Sequence, residues 1–168
     1  KKSFIKKKLL TFLIKKVFFS NLRFIFSFIF KMLTKMNNST KEWYDHLHKS
    51  PLTPPDNVFG IVWPILYTLM FISLVLLIIN RSRNTQLMIK CYVVFGFQLF
   101  FNILWPIIFF GERQIRWGLV DLILTDIFTV VTTYFFHKVY PTSSYLLIPY
   151  LLWICFATYL NLYIVIKN

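Results

Sequence analysis

The sequence predicts an all-α membrane protein, a bundle of four spanning helices preceded by a basic first helix whose own insertion is nearly balanced. Three observations carry this. Four long apolar stretches, 58–79, 91–111, 117–136 and 145–166, fill almost all of the chain after position 57, and three of them hold no charged residue. A hydrocarbon core of about 30 Å needs about 20 apolar residues at 1.5 Å per helical residue, so each stretch is long enough to cross it. The composition agrees: the 168 residues are 57% hydrophobic, 20% aromatic and only 15% charged, too little polar surface to cover a water-soluble domain of this size.

The N-terminal segment, residues 1–36, comes first. The chain opens on Lys1 rather than methionine, which fits a fragment, a processed form or an upstream read-through. Of the 19 basic residues, 11 lie within the first 41 positions, and no acid occurs before Glu42. The net charge of +13 is therefore a property of this tail, and lysine interleaved with phenylalanine and leucine suits an anionic membrane surface rather than nucleic acid. From 9 to 30 there are 15 Leu, Ile, Val or Phe residues, opposed by Lys15, Lys16 and Arg23. On a per-residue insertion scale the apolar gain is about 7 kcal/mol and the cost of the three charges about 9 kcal/mol, so the segment either spans with help from other helices or lies in the interface.

Residues 37–168 form the membrane domain. The connection 37–57 is the longest, and Pro51, Pro54 and Pro55 hold it extended or turned before the 58–79 helix. Arg81, Arg83 and Asn84 separate the second pair of helices, Gly111, Glu112 and Arg113 make a tight turn, and Pro141 to Ser144 turn the chain into the last helix. Pro64, Pro106 and Pro149 fall inside apolar stretches, where neighbouring helices can satisfy the released carbonyl. Loop charges nearly balance across the membrane and leave the orientation open. Cys91 and Cys155 stand alone in separate stretches and read as small packing residues.

Polar groups inside these helices are the candidate functional residues. Trp63 and Tyr67 are four apart and share a helix face; Gln98, Asn102, Trp105 and Phe109 follow one stripe, and Trp153, Ala157 and Asn161 follow another. Aromatic surface with a few uncharged hydrogen-bonding groups suits a flat, largely apolar ligand, while the same amides also serve as interhelical ties. Asp121 and Asp126 are five residues apart, about 140° around the helix axis, so they cannot act as a carboxylate pair. Asp121 is expected to cap or pair with Arg113 or Arg116, and Asp126 to face the bundle, a partner protein, or a neutral state. His46 and His48 have no zinc-site spacing and no further ligand beside them. Four glycines give no phosphate cradle, and no nucleophile, base and orienting group assemble.

Four co-linear blocks carry a resemblance: WYDHLHKSPLTPPDNVFGIVWPILYTLM at 43–70, QLFFNILWPIIFFG at 98–111, VDLIL at 120–124 and PYLLWICFATYLN at 149–161. They resemble the TspO/MBR family, the translocator proteins also called tryptophan-rich sensory proteins or peripheral-type benzodiazepine receptors. The resemblance implies a TspO-like transmembrane helix bundle in a bacterial cell membrane or a mitochondrial outer membrane, a possible homodimer, and the 37–57 loop on the cytosolic side. It further implies a ligand pocket on Trp63, Asn102 and Trp153, with Tyr67, Gln98, Trp105 and Ala157 beside them. The ligand would be a tetrapyrrole, such as protoporphyrin IX or haem, or a sterol, bound for sensing, sequestration or transport, and no other cofactor is required. Leu160, Tyr163 and Lys167 match the loose sterol-recognition pattern that the family carries at this place. Porphyrin breakdown at Trp63 and Trp153, or a regulatory membrane protein with a non-functional pocket, are the alternatives. The sequence departs from the family in its lysine-rich beginning, in Asp126, and in YVVFGF at 92–97, where Gly96 is the one small residue and close GxxxG-type dimer contact is not expected.

Overall fold

The computed structural model describes residues 38–168, so the expectations for the basic 1–36 segment lie outside it. The described residues form α1 (Asn38–His46), α2 (Asp56–Ile79), α3 (Thr85–Pro106), a π-helical turn (Ile107–Gly111), α4 (Ile115–Val139), α5 (Pro141–Tyr145) and α6 (Ile148–Lys167). Among the described residues four spans are long and apolar enough to cross a bilayer: Asp56–Ile79, Thr85–Gly111, Ile115–Val139 and Pro141–Lys167. Each also carries exposed large apolar side chains, such as Ile61 and Ile65, Val93 and Phe97, Ile127 and Val130, and Leu152 and Leu162, as lipid contact requires.

Local chemistry explains where the helices begin and end. Pro55, extended at φ −58° and ψ 150°, leads into α2, and Asp56 places negative charge at the helix's positive end. Asn80 closes α2, its backbone N–H and its Nδ2 both donating to the Leu76 carbonyl. Asn84 caps α3 by accepting from the Leu87 N–H at 3.1 Å. Beyond Pro106 the π turn widens the helix, the Glu112 and Gln114 N–H groups bond back to Ile107 and Ile108, and Arg113 takes a left-handed φ of 54°. Lys138 puts positive charge in the last turn of α4.

Two expectations change. The 37–57 connection is not loop throughout, since Asn38–His46 is helical. Pro149 is not in a helix interior: it sits in the first turn of α6, where a missing N–H costs nothing.

Helix α4 is the centre of the bundle, packed along α3 on one side and α6 on the other, while α2 meets mainly α5 and, less closely, α6. The core joins Leu66, Met70 and Leu77 of α2, Met88, Cys91 and Phe95 of α3, Leu122 and Phe136 of α4, and Tyr150 and Ile154 of α6. Because lipid is as apolar as this core, polar ties set the helix register. The Ser73 hydroxyl donates to the Ser143 carbonyl at 2.6 Å, and the Cys91 thiol to the Phe135 carbonyl at 3.6 Å. Thr125, Thr129 and Thr133 each donate to the carbonyl four residues back, which hides their hydroxyls inside α4 itself. Gly118 lets α4 approach closely: a Cβ there would lie 3.0 Å from Phe109 and 3.2 Å from Asn161.

Candidate functional site

A polar node joins three helices. The Tyr67 hydroxyl of α2 donates to Asn102 Oδ1 of α3, and Asn102 Nδ2 donates to the Tyr150 hydroxyl of α6 at 2.7 Å. Tyr150 and Asn102 are buried. One amide thereby uses its acceptor on one helix and its donor on another, fixing α2, α3 and α6 at a common level. Tyr67 lies eleven residues into α2, about 16 Å below the helix start at 1.5 Å per residue.

Above this floor, toward the 47–55 loop, stands an aromatic wall. Trp63, one turn before Tyr67, lies 5.8 Å from its ring. Phe59, a further turn back, meets Trp153 of α6 edge to face at 5.7 Å, and Trp153 also lies 5.8 Å from Phe156. Trp63 and Trp153 are therefore brought to one region through the shared face of α2, with Ala157 following Trp153 by one turn and packed on the core. The Trp153 indole Nε1 is buried and has no hydrogen-bond partner among the described residues. A buried donor left unpaired costs free energy that a ligand acceptor would recover.

The remaining candidate residues lie beside or beyond this node. Gln98, buried one turn before Asn102, also brings its side-chain amide to the Tyr150 hydroxyl, its Nε2 donating to Met70 Sδ at 3.3 Å and its Oε1 without a partner among the described residues. Trp105 belongs to a second aromatic group: it stacks on Phe109 at 5.1 Å and meets Phe110 edge to face. Its indole N–H donates to Asn161 Oδ1 at 3.2 Å, while Asn161 Nδ2 donates to the Ile115 carbonyl at 2.9 Å, an amide orientation set by these neighbours. Trp43 and Tyr44 of α1 cover the same Phe109 and Phe110. The Tyr44 phenol is pushed up to about 12, first by burial and then by the charges of Asp56 and Asp45. In the sterol pattern, Leu160 faces inward while Lys167 is exposed and Tyr163 half-buried, so a sterol approaching from lipid would meet only part of it.

Ionic expectations are also corrected. Asp121 pairs with neither Arg113 nor Arg116: it is buried one and a half turns into α4, and neither carboxylate oxygen has a partner among the described residues. Arg113 is turned away by its left-handed backbone, donates to Ser39 Oγ at 3.1 Å and lies over Trp43. Cys91 is a packing residue, but Cys155 is exposed. Among the described residues no group of three potential metal ligands comes together.

The loop before α2 is tied down over the α6 end. The His48 N–H donates to Asn168 Oδ1 at 3.0 Å, Asn168 Nδ2 returns a bond to the His48 carbonyl, and the Ser50 and Tyr159 hydroxyls are 3.2 Å apart. Tyr150, Phe59 and Phe156 are the site residues that sequence reasoning missed. For Tyr150 a signal existed: it lies seven and eleven residues before Ala157 and Asn161 and continues their stripe by two turns.

Comparison with known proteins decides the family. The sequence profile of the TspO/MBR family matches residues 19–166. The chain belongs to the TspO/MBR family. It is 39% identical over 119 residues to a human protein named translocator protein, covering 71% of this chain and 70% of that one. A tryptophan-rich protein TspO of Archaeoglobus fulgidus is 39% identical over 131 residues, covering 77% and 82%. A tryptophan-rich sensory protein of Cereibacter sphaeroides is 33% identical over 120 residues, covering 71% and 73%. With four apolar spans among its described residues, the chain is an integral membrane protein of the TspO/MBR family with a helical-bundle fold.

Proposed function

We propose that this TspO/MBR protein binds a flat, largely apolar tetrapyrrole, of the protoporphyrin IX or haem type, against the wall of Phe59, Trp63 and Trp153 above the Tyr67–Asn102–Tyr150 floor, in the service of sensing, sequestration or transport. The observation that carries the reading is the Trp153 indole, a buried donor without an acceptor beside two further aromatic rings. Aromatic faces supply stacking for a macrocycle, and one free donor fixes its orientation. Membership of a family whose relatives are named tryptophan-rich sensory proteins supports the same direction. Asn102 holds the floor, since both ends of its amide are engaged by tyrosines.

The test is titration of the detergent-purified chain with protoporphyrin IX, followed by quenching of tryptophan fluorescence. Trp153→Phe keeps a ring but removes the N–H, and one hydrogen bond of about 1 kcal/mol corresponds to about fivefold weaker binding. Trp63→Phe weakens binding through lost stacking area. Unchanged affinity in both variants, or saturable quenching by a sterol but not by the porphyrin, would overturn the assignment.

A further inference from the structure

Asp126 occupies the middle of a membrane-spanning helix yet is not enclosed by the bundle. It is the twelfth of the 25 residues of α4, about 16 to 20 Å from either helix end at 1.5 Å per residue. It is half-buried in the seam between α4 and α6. Its Oδ2 accepts from the Thr158 hydroxyl at 2.7 Å, and its Oδ1 has only the Cys155 thiol at 3.8 Å. No cation among the described residues pairs with it. The other acid of this helix, Asp121, is enclosed; Asp126 is the one that a neighbour in the bilayer can reach.

The flanking surface is apolar and outward. Ile123, Ile127 and Val130 on α4 and Leu152 and Leu162 on α6 are all exposed, with Cys155 exposed between the two leucines. Cys155 and Thr158 are short, so the seam around the carboxylate is a notch between longer aliphatic side chains. Small residues at such a place allow another helix to come close. Lipid cannot meet the carboxylate: acyl chains carry no donor, and headgroup amines lie about 15 Å away at the edge of the hydrocarbon. An intramembrane acid is costly unless paired, and pairing with a basic side chain inside the bilayer relieves the cost for both.

We infer that the α4–α6 seam at Asp126 is a docking site for a transmembrane helix of a partner protein that carries a lysine or arginine at mid-membrane depth. The basic group meets the free side of the Asp126 carboxylate, and its aliphatic stem lies in the notch over Cys155. This surface is separate from the aromatic wall, so docking and ligand binding are independently testable.

The probe is a synthetic transmembrane helix of leucine and alanine with one central lysine, compared with the same helix carrying leucine there. Both are titrated by energy transfer against the full chain in phosphatidylcholine vesicles. The lysine helix is expected to associate about tenfold more tightly. Asp126→Leu abolishes the difference, Asp126→Asn reduces it while keeping the side-chain shape, and both retain porphyrin quenching and helical circular dichroism. A cysteine placed beside the probe's lysine forms a disulfide with Cys155 under mild oxidation. Equal association of both probes, a tenfold preference that survives Asp126→Leu, or dominant Cys155–Cys155 linkage between two copies, which would make the seam a self-interface, overturns the inference.

Discussion

Replacing Asn102 by alanine tests the floor of the site most directly. The substitution removes two side-chain hydrogen bonds, from Tyr67 and to Tyr150, and leaves two phenol hydroxyls without their partner. Each intramembrane hydrogen bond contributes about 0.6 kcal/mol on average and about 1.7 at most, and an orphaned buried hydroxyl costs about 1 to 3 kcal/mol where it finds no new partner. Asn102→Ala should therefore destabilise the bundle by about 2 to 3 kcal/mol. Tyr150→Phe removes only the acceptor for Asn102 Nδ2 and should cost about 1 kcal/mol. Combining the two should cost little more than Asn102→Ala alone, because the Tyr150 hydroxyl has already lost its donor; the coupling is about 1 kcal/mol. Reversible unfolding in mixed micelles by added dodecyl sulfate, read by circular dichroism, measures all four corners of the cycle. Additive costs, or an Asn102→Ala effect below about 0.5 kcal/mol, would show that the node does not hold the three helices together.

Two further substitutions probe the packing around the floor. Gly118→Ala inserts a methyl 3.0 Å from Phe109 and 3.2 Å from Asn161, so it should lower stability by about 1 to 3 kcal/mol through overpacking, whereas alanine at Gly96, which meets nothing within 4 Å, should be neutral in the same unfolding assay. The raised phenol of Tyr44 makes α1 docking sensitive to alkali. Its folded value is about 12 against an ordinary 10.0, so the contribution is fully present below pH 10 and is lost as pH rises through 12. Protease sensitivity of the 47–55 loop should climb across that window, and Tyr44→Phe should remove the climb; an unchanged profile would place its origin elsewhere.

The four spans were legible because bilayer insertion depends on apolar length and on how few charges interrupt it, and 58–79, 91–111 and 117–136 needed only small changes of boundary. The inward stripes were legible for a related reason: in lipid the apolar residues face both ways, so uncharged polar groups such as Asn102 and Asn161 mark the interior at helical spacing. Helix α1 was not, because NSTKEWYDH has no apolar period, and its docking rests on Trp43 and Tyr44 meeting Phe109 and Phe110. The π turn was equally hidden, since IIFFG is as good an α-helix as any. That turn and the left-handed Arg113 also defeat the expected Asp121–arginine pair, because a charge offset of a few residues says nothing about which way the intervening turn points.

Tryptophan content alone does not locate the site, and the fate of each indole N–H distinguishes the roles. Trp105 has spent its donor on Asn161 and its face on Phe109, which makes it a tie between α3 and α6 despite sharing a stripe with Asn102. Trp117 is 64% exposed in the first turn of α4, where an amphipathic ring belongs at the membrane–water boundary. Trp153 alone among these three is sheltered with its donor unspent. A bilayer-embedded bundle tolerates such a group only at a cost, and the cost falls at the position where α2 and α6 present aromatic faces above a rigid polar floor. Substituting Trp105 and Trp153 in parallel by phenylalanine therefore separates the two roles: the first should lower stability and leave porphyrin affinity nearly unchanged, and the second should do the reverse.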